Sequence, residues 1–324
     1  MAAFVVGLVL LAWLIERAGP ARLASDLLRV GWWMAALLAI AAARNACRTS
    51  AVRLALAEDQ REISFGSTYA VLLVSEAVKF LAAAGLLFGE AAKGWLLARR
   101  VSGARAVSAV MVDVAAYYLT AALFCLGGAG LFFALYPASP AARRAGVAGA
   151  SIVAAAAIAV VAAIRRRWLT VRRLLAPLVR WGLFRRADTF ERLGEIDAQS
   201  FGFRSRHPKA FRRILAWDFA AHFLSAFEVY LILRALALGA GYTAGIVIEG
   251  LTKIVEVGGL LVPGDIGLYQ GGTGLIFRAI GLPLAAGISV GVIRQVRSIL
   301  WAGLGLLLLL VPRIAEKPAA PPPE

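Results

Sequence analysis

The chain has 324 residues, 61% of them hydrophobic, and a mean hydropathy of +0.78. This apolar content excludes an ordinary soluble domain. Several apolar runs are long enough to cross a hydrocarbon core of ~30 Å, and they predict an all-α, polytopic transmembrane helical bundle. The net charge of +16 comes from basic residues between the apolar runs. The positive-inside rule and anionic lipid headgroups explain that charge better than nucleic acid does, so we expect membrane lipids as partners and no nucleic acid.

The first transmembrane half is predicted to cover residues 1–164. It begins with a short apolar run, which is followed by "GWWMAALLAIAAARNACRTSAVRLAL". The second part of this segment places Arg44, Arg48 and Arg53 on roughly one helical face. A later long apolar span, "ARAVSAVMVDVAAYYLTAALFCLGGAGLFFALYP", carries Asp113.

Residues 165–213 differ in character, with 14 Arg and Lys against 4 Asp and Glu. We interpret them as a basic amphipathic segment at the cytoplasmic surface. The second transmembrane half is predicted at residues 214–312. Residues 313–324 form a Pro/Ala-rich tail that we expect to be disordered.

Two apolar segments are interrupted by charges or helix breakers. The first is "SEAVKFLAAAGLLFGEAAKGWLL", and the second is "IEGLTKIVEVGGLLVPGDIGLYQGG" with Pro263 and Gly264 at its break. Backbone groups released at such a break cannot face lipid, so the break indicates a re-entrant hairpin or a broken helix. Gly267 permits the turn, and the N–H groups of the following helix suit an anion such as phosphate.

The two interrupted segments can be aligned with each other. Glu76 falls on Glu249, Lys79 falls near Lys253, and "GLLFGE" falls on "GLLVPGD". Corresponding interruptions in two halves predict two structural repeats around a central site. Chance similarity of two amphiphilic segments is the alternative.

Charges within apolar segments are costly, so they should pair, face inward or contact a substrate. The spacing of Glu76 and Lys79, and of Glu249 and Lys253, places each pair on one helix face. We expect Asp113 to pair with Arg294 or Lys93. Asp218 is expected near the membrane interface, where a charge is cheap.

The chain contains no nucleotide-binding P-loop, no HExxH, no CxxC and no GxSxG motif. With two histidines and two cysteines, a transition-metal site is not expected. We therefore predict neither a cofactor nor a metal, and no enzymatic activity, although a carboxylate- and lysine-based membrane enzyme stays open.

Two motifs resemble a known family. "GEAAKGWLLARRVSGARAVSAVMVDVAAYY" is similar to its first-half motif, and "LVPGDIGLYQGG" is similar to its second-half motif. The family is the lysylphosphatidylglycerol synthase transmembrane, flippase-like group, and the resemblance covers about residues 5–312. The chain departs from it in having Asp265 where glycine is usual and Gln270 where the family has glutamate. Since these 324 residues contain no segment like the aminoacyl-transferase domain that makes the lysyl lipid, we expect lipid translocation or handling and not lysyl transfer.

The resemblance implies a stand-alone, multi-pass protein of the bacterial inner membrane that translocates or handles a phospholipid or an isoprenoid or hopanoid lipid. A cavity between the interrupted segments would receive the lipid headgroup. The basic site residues would supply positive charge, and the acidic site residues would form a gate or bind a coupling ion. The backbone N–H groups at the break would donate hydrogen bonds to the headgroup. The predicted site residues are Lys79, Glu90, Lys93, Lys253, Pro263, Gly264, Asp265, Gly267, Gln270 and Arg294. The alternative is a non-transporting accessory or scaffold protein that docks lipid-biosynthesis enzymes, with the hopanoid pathway as the favoured context.

Overall fold

A computed structural model describes residues 2–82, 85–137, 139–165, 188–259, 262 and 265–310. Within these residues the chain is helical and contains no strand. The predicted all-α bundle is confirmed. Its helices are α1 (Ala2–Ala18), α2 (Pro20–Val30), α3 (Trp33–Ala55), α4 (Phe65–Leu81), α5 (Gly85–Leu97), α6 (Gly103–Leu135), α7 (Pro140–Arg165), α8 (Asp188–Arg206), α9 (Pro208–Ala235), α10 (Tyr242–Gly259), α11 (Leu268–Ala279) and α12 (Leu284–Leu309), with a 3₁₀ turn at Ala57–Arg61.

Three helices of the described chain, α6, α9 and α12, are long and apolar enough to cross a membrane. Helices α2 and α3 qualify together, with a bend of 72° between them. Helices α5 and α11 have only 13 and 12 residues. At 1.5 Å per residue they extend ~20 Å, which is less than the ~30 Å hydrocarbon core. They cannot span it alone.

The interrupted segments form two helical hairpins, α4–α5 and α10–α11, in which the two helices pack on each other. The α4–α5 contact is close because a Cβ on Gly89 would lie 2.8 Å from the carbonyl oxygen of Ser75. Residues 83–84 and 260–261, at the hairpin connections, lie outside the described residues. Short paired helices of this kind agree with the predicted re-entrant or broken helices.

The packing of the hairpins follows the predicted repeat, which we define as α3–α6 (first repeat) and α9–α12 (second repeat). Helices α3 and α9 pack together at the centre. Hairpin helix α4 packs on α12, and its counterpart α10 packs on α6. Each hairpin therefore contacts the long helix that follows the other hairpin, which is the exchange expected of two related halves.

Small residues make both of these crossings close. A Cβ on Gly128 of α6 would lie 2.9 Å from Cα of Gly250 in α10. In the other crossing, a Cβ on Gly305 of α12 would lie 2.9 Å from Cβ of Ala77 in α4. Gly250 and Ala77 directly follow Glu249 and Glu76, so the crossings agree with the alignment of those two glutamates.

Part of the basic segment also packs on the bundle. Helix α8 contacts α6 and buries Leu193, Ile196 and Phe203. Residues 166–187, which hold much of the positive charge of that segment, lie outside the described residues.

Candidate functional site

The first repeat contains a buried ion network, which we call the first network: Arg48, Glu90, Lys93, Asp113 and Asp218. Lys93 Nζ donates to Glu90 Oε2 at 2.7 Å and to Asp113 Oδ2 at 3.0 Å. Arg48 donates to Asp113 Oδ2 at 3.0 Å through Nη2 and to Asp218 Oδ1 through Nη1. The network joins α3, α5 and α6 of the first repeat to α9 of the second.

The second repeat contains a corresponding second network, made of Glu228, Glu249, Lys253, Glu256, Arg294 and Arg297. Arg294 Nη1 donates to Glu249 Oε2 at 2.8 Å and to the hydroxyl of Tyr269. Arg294 Nη2 donates to Ser225 Oγ at 2.9 Å. This arginine therefore ties α12 to α9, α10 and α11.

Two further cations complete the second network. Arg297 Nη1 donates to Glu228 Oε2 at 2.9 Å. Lys253 Nζ lies 2.9 Å from Glu249 Oε1 and 3.1 Å from Glu256 Oε2. The network holds three cations and three carboxylates, so its formal charges balance.

The two networks are related by the repeat, with the charges exchanged. Asp113 is the eleventh residue of α6, and Arg294 is the eleventh residue of α12. Arg48 lies seven residues before the end of α3, and Glu228 lies seven residues before the end of α9. The pair Arg48–Asp113 thus corresponds to the pair Glu228–Arg294, whose Nε and Oε1 atoms are 3.6 Å apart.

Partly exposed charged side chains lie at the ends of both hairpins, and we call them the front: Glu76, Lys79, Glu90, Glu256 and Asp265. The side chains of Glu76 and Lys79 are 47% and 37% exposed, with Oε2 and Nζ 3.8 Å apart. Asp265, from the second hairpin, interacts electrostatically with Lys79 of the first. Tyr118 of α6 lies within electrostatic range of Lys79, Glu90 and Glu256. The front therefore brings together groups from both repeats.

The predicted site residues divide into two classes by burial. Lys93, Lys253 and Arg294 are largely buried, and each already pairs with at least two carboxylates. Lys79 and Asp265, by contrast, are accessible at the front. Glu90 belongs to both groups because it binds Lys93 and remains partly exposed.

The residues around the predicted break have a more local arrangement. Gly267, with φ of +82°, is the N-cap of α11, and its N–H donates to Gln270 Oε1 at 2.7 Å. Gln270 is fully buried. The side-chain oxygen of Gln270 therefore accepts the hydrogen bond from the Gly267 N–H at the start of α11. This N–H is then not available to bind an anion. Pro263 and Gly264 lie outside the described residues.

One expectation about charge partners needs correction, and another is met by one of its two alternatives. Asp218 was expected near the membrane interface, where a charge costs little free energy. It is instead 0% exposed and bound to Arg48. Asp113 pairs with Lys93 and Arg48, and the alternative partner Arg294 binds glutamates of its own repeat. The sequence did indicate an arginine face on α3, but not that Arg48 reaches two carboxylates from other helices.

The expected enclosed chamber is not among the described cavities. The larger of the two, 390 Å³ in volume, is lined by residues 133–137 and Arg143 beside the α6–α7 connection. The charged side chains of the front are partly exposed. Within the described residues no group of His, Cys, Asp and Glu side chains has the arrangement of a metal site.

The charge of the site also differs from a simple basic pocket. Together the two networks and the front contain six cations and eight carboxylates. Within the front, Lys79 is the single cation beside four carboxylates. A ligand there would meet one ammonium group and several carboxylates.

The comparisons with known proteins agree with the resemblance of the two motifs. The family described as lysylphosphatidylglycerol synthase TM region matches residues 1–306, which is most of the chain. No curated protein and no solved structure matched the chain. The match, the apolar helices and the paired hairpins agree on a multi-pass membrane protein related to lipid handling. The chain belongs to the lysylphosphatidylglycerol synthase TM region family.

Proposed function

We propose that this protein translocates a membrane lipid, with the headgroup passing along the front while the acyl chains stay in the bilayer. The observation that carries this proposal is the meeting of partly exposed charges from two repeat-related hairpins. Placing a charged side chain in a bilayer costs free energy unless the side chain contacts water, an ion-pair partner or a substrate. Within each network every buried charged group already forms at least one ion pair, whereas the charged groups of the front remain accessible.

The ends of the hairpins support an inverted arrangement of the two repeats. The first hairpin begins and ends near arginines, namely Arg53, Arg61, Arg99, Arg100 and Arg105. The connections that flank the second hairpin, 236–241 and 280–283, contain no charged residue, and the nearest basic residues are Arg234 and Arg278 in the last turns of α9 and α11. Fewer arginines therefore flank the second hairpin than the first. By the positive-inside rule, the first hairpin enters from the cytoplasmic side and the second from the opposite side. Inverted repeats of this kind are a common basis for alternating access.

The charges of the front favour a zwitterionic headgroup. Lys79 would contact the phosphate, because an ammonium group is a compact donor for phosphate oxygens. Glu76, Glu256 and Asp265 would contact a headgroup amine. A headgroup with phosphate alone would meet one cation among several carboxylates, so it should be the weaker substrate.

The test uses purified protein in liposomes that carry an acyl-chain-labelled fluorescent phospholipid. Dithionite quenches only the label in the outer leaflet, so the additional quenched fraction reports translocation. We expect labelled phosphatidylethanolamine to move faster than labelled phosphatidylglycerol. Lys79→Gln and Asp265→Asn should lose most of this movement, whereas the matched control Glu62→Gln, at an exposed position outside the front, should keep it.

Two results would contradict the proposal. Wild-type liposomes that quench no faster than protein-free liposomes would exclude translocation of these lipids and favour the accessory or scaffold role. Unchanged movement in both front variants would show that the headgroup follows another route.

A deletion strain with normal lipid amounts on the wrong leaflet would support translocation, while missing lipid species would favour the pathway role.

A further inference from the structure

Asp218 differs from the other buried carboxylates in its surroundings. It lies on α9 at the contact with α3 and is fully buried. Its Oδ1 accepts from Arg48, but its Oδ2 has no hydrogen-bond partner among the described residues. The charged groups that act on it are Arg48 from α3, Asp113 from α6 and Lys93 from α5. Cys47 of α3 lies within electrostatic range of it.

The formal charge of the first network does not balance. It holds three carboxylates against two cations, whereas the second network holds three of each. Arg44, one turn before Arg48, interacts with Glu76 of the front and forms no described ion pair with this network. The surplus is shared with the partly exposed Glu90, so the charge count alone does not assign it to a buried group. A fully buried carboxylate with a single cationic partner carries a desolvation cost, and binding of one proton removes that cost.

The contacts indicate which carboxylate takes the proton. Asp113 Oδ2 accepts from both Lys93 and Arg48, so its charge is well compensated. Glu90 is partly exposed and binds Lys93, so its charge is less costly. Asp113 Oδ1 also has no hydrogen-bond partner, but of the three carboxylates of this network Asp218 is the one that combines complete burial with a single cationic partner.

We propose that Asp218 is a proton-binding site, and that its protonation is coupled to lipid movement. The coupling rests on the proposed function, whereas the proton site does not. In this step a proton from water forms an O–H bond at Asp218 Oδ2, and the ion pair with Arg48 becomes a hydrogen bond to a neutral acid. Release of the proton restores the ion pair, and no electrons are transferred.

A continuous chain of ionic contacts couples the charge of this site to the accessible surface, although the Lys93 and Arg48 cations have no acceptor and do not themselves relay the proton. It runs from the partly exposed Glu90 through Lys93 and Asp113 to Arg48 and Asp218, and each intervening bond is 3.0 Å or shorter. Because Arg48 and Asp218 belong to different repeats, protonation weakens an ion pair that holds the repeats together. The proton would thereby favour movement of one repeat relative to the other.

The proton site is tested with an apolar carbodiimide, which modifies protonated carboxyl groups in apolar surroundings, followed by peptide mass spectrometry. The wild-type protein in lipid nanodiscs is labelled from about pH 5 to about pH 9. We expect Asp218 to be modified more at low pH, and Asp113 and Glu249 to remain largely unmodified as buried, compensated controls. No modification of Asp218, or equal modification of Asp113, would overturn the proposal. The measurement uses the wild type, so it does not depend on the folding of a variant.

The coupling is tested in the liposome assay with and without a pH gradient. We expect a gradient to accelerate the movement of labelled phosphatidylethanolamine in the wild type, and Asp218→Asn to lose this dependence. Equal wild-type rates with and without the gradient would overturn the coupling while leaving translocation intact. If the wild type moves no lipid, the proposed function fails, and the labelling result still decides the proton site.

Discussion

Replacing Gly128 by alanine tests the close crossing between α6 and α10. The new Cβ would lie 2.9 Å from Cα of Gly250 and 3.3 Å from the carbonyl oxygen of Ile246. Carbon atoms normally pack at ~3.5–4.0 Å, so these helices would have to separate by roughly 0.5–1 Å. Both contacts are with backbone atoms, which cannot rotate away as a side chain can. We therefore expect an overpacking cost of about 1–3 kcal/mol.

Gly127→Ala is the matched control, because nothing lies within 4 Å of a Cβ at that position. Both substitutions share the gain of about 1 kcal/mol in helix propensity. The difference between the two variants therefore isolates the crossing.

Unfolding can be followed with a thiol-reactive dye in detergent, since Cys47 and Cys125 are both buried and become reactive when the bundle opens. Gly128→Ala should unfold at a lower temperature than Gly127→Ala. Equal midpoints for the two variants would refute the close crossing, and with it the packing support for the repeat.

Three further predictions use the same unfolding assay. Gln270→Ala should lower the free energy of unfolding by about 1–2 kcal/mol because Gly267 N–H loses its acceptor, whereas Gln270→Glu should keep the cap; equal losses in both would contradict this role. Lys93→Met should lower the free energy of unfolding by about 3–5 kcal/mol, because Asp113 and Glu90 lose the cation that they share. Lys79→Met should lower it by at most ~1 kcal/mol, because Lys79 is partly exposed. The reversed order would be inconsistent with the burial of these two lysines. Arg294→Gln should cost about 3 kcal/mol, at the lower end of that range because its glutamate partners retain other cations; a wild-type midpoint would show that the second network is not formed.

The sequence was informative where interactions are local. Helical spacing predicted the Glu76–Lys79 and Glu249–Lys253 pairs, and both form. The interrupted segments predicted the hairpins, because prolines, glycines and charges in apolar sequence restrict the chain to few structures. The family was likewise identified from short motifs and is confirmed.

Long-range partners could not be predicted in the same way. Arg48 and Asp218 are 170 residues apart, and Arg294 is 45 residues from Glu249. Which helices meet, and in which rotation, depends on packing that no local pattern records. Gly128 shows the same limit, since its sequence neighbour Gly127 faces open space while Gly128 faces another helix.

The exchanged charges explain how two related halves can bury so many ions at one interface. Had the repeats kept identical charges, α3 and α9 would each carry an arginine at the position of Arg48, and the central helix contact would bring like charges together. With Glu228 at that position, each repeat can form its own ion pair between its first and last helices. The ion pair Arg48–Asp218 connects the two repeats. Relative movement of the repeats would break or rearrange this pair, which is the physical reason to expect that a proton on Asp218 influences the movement.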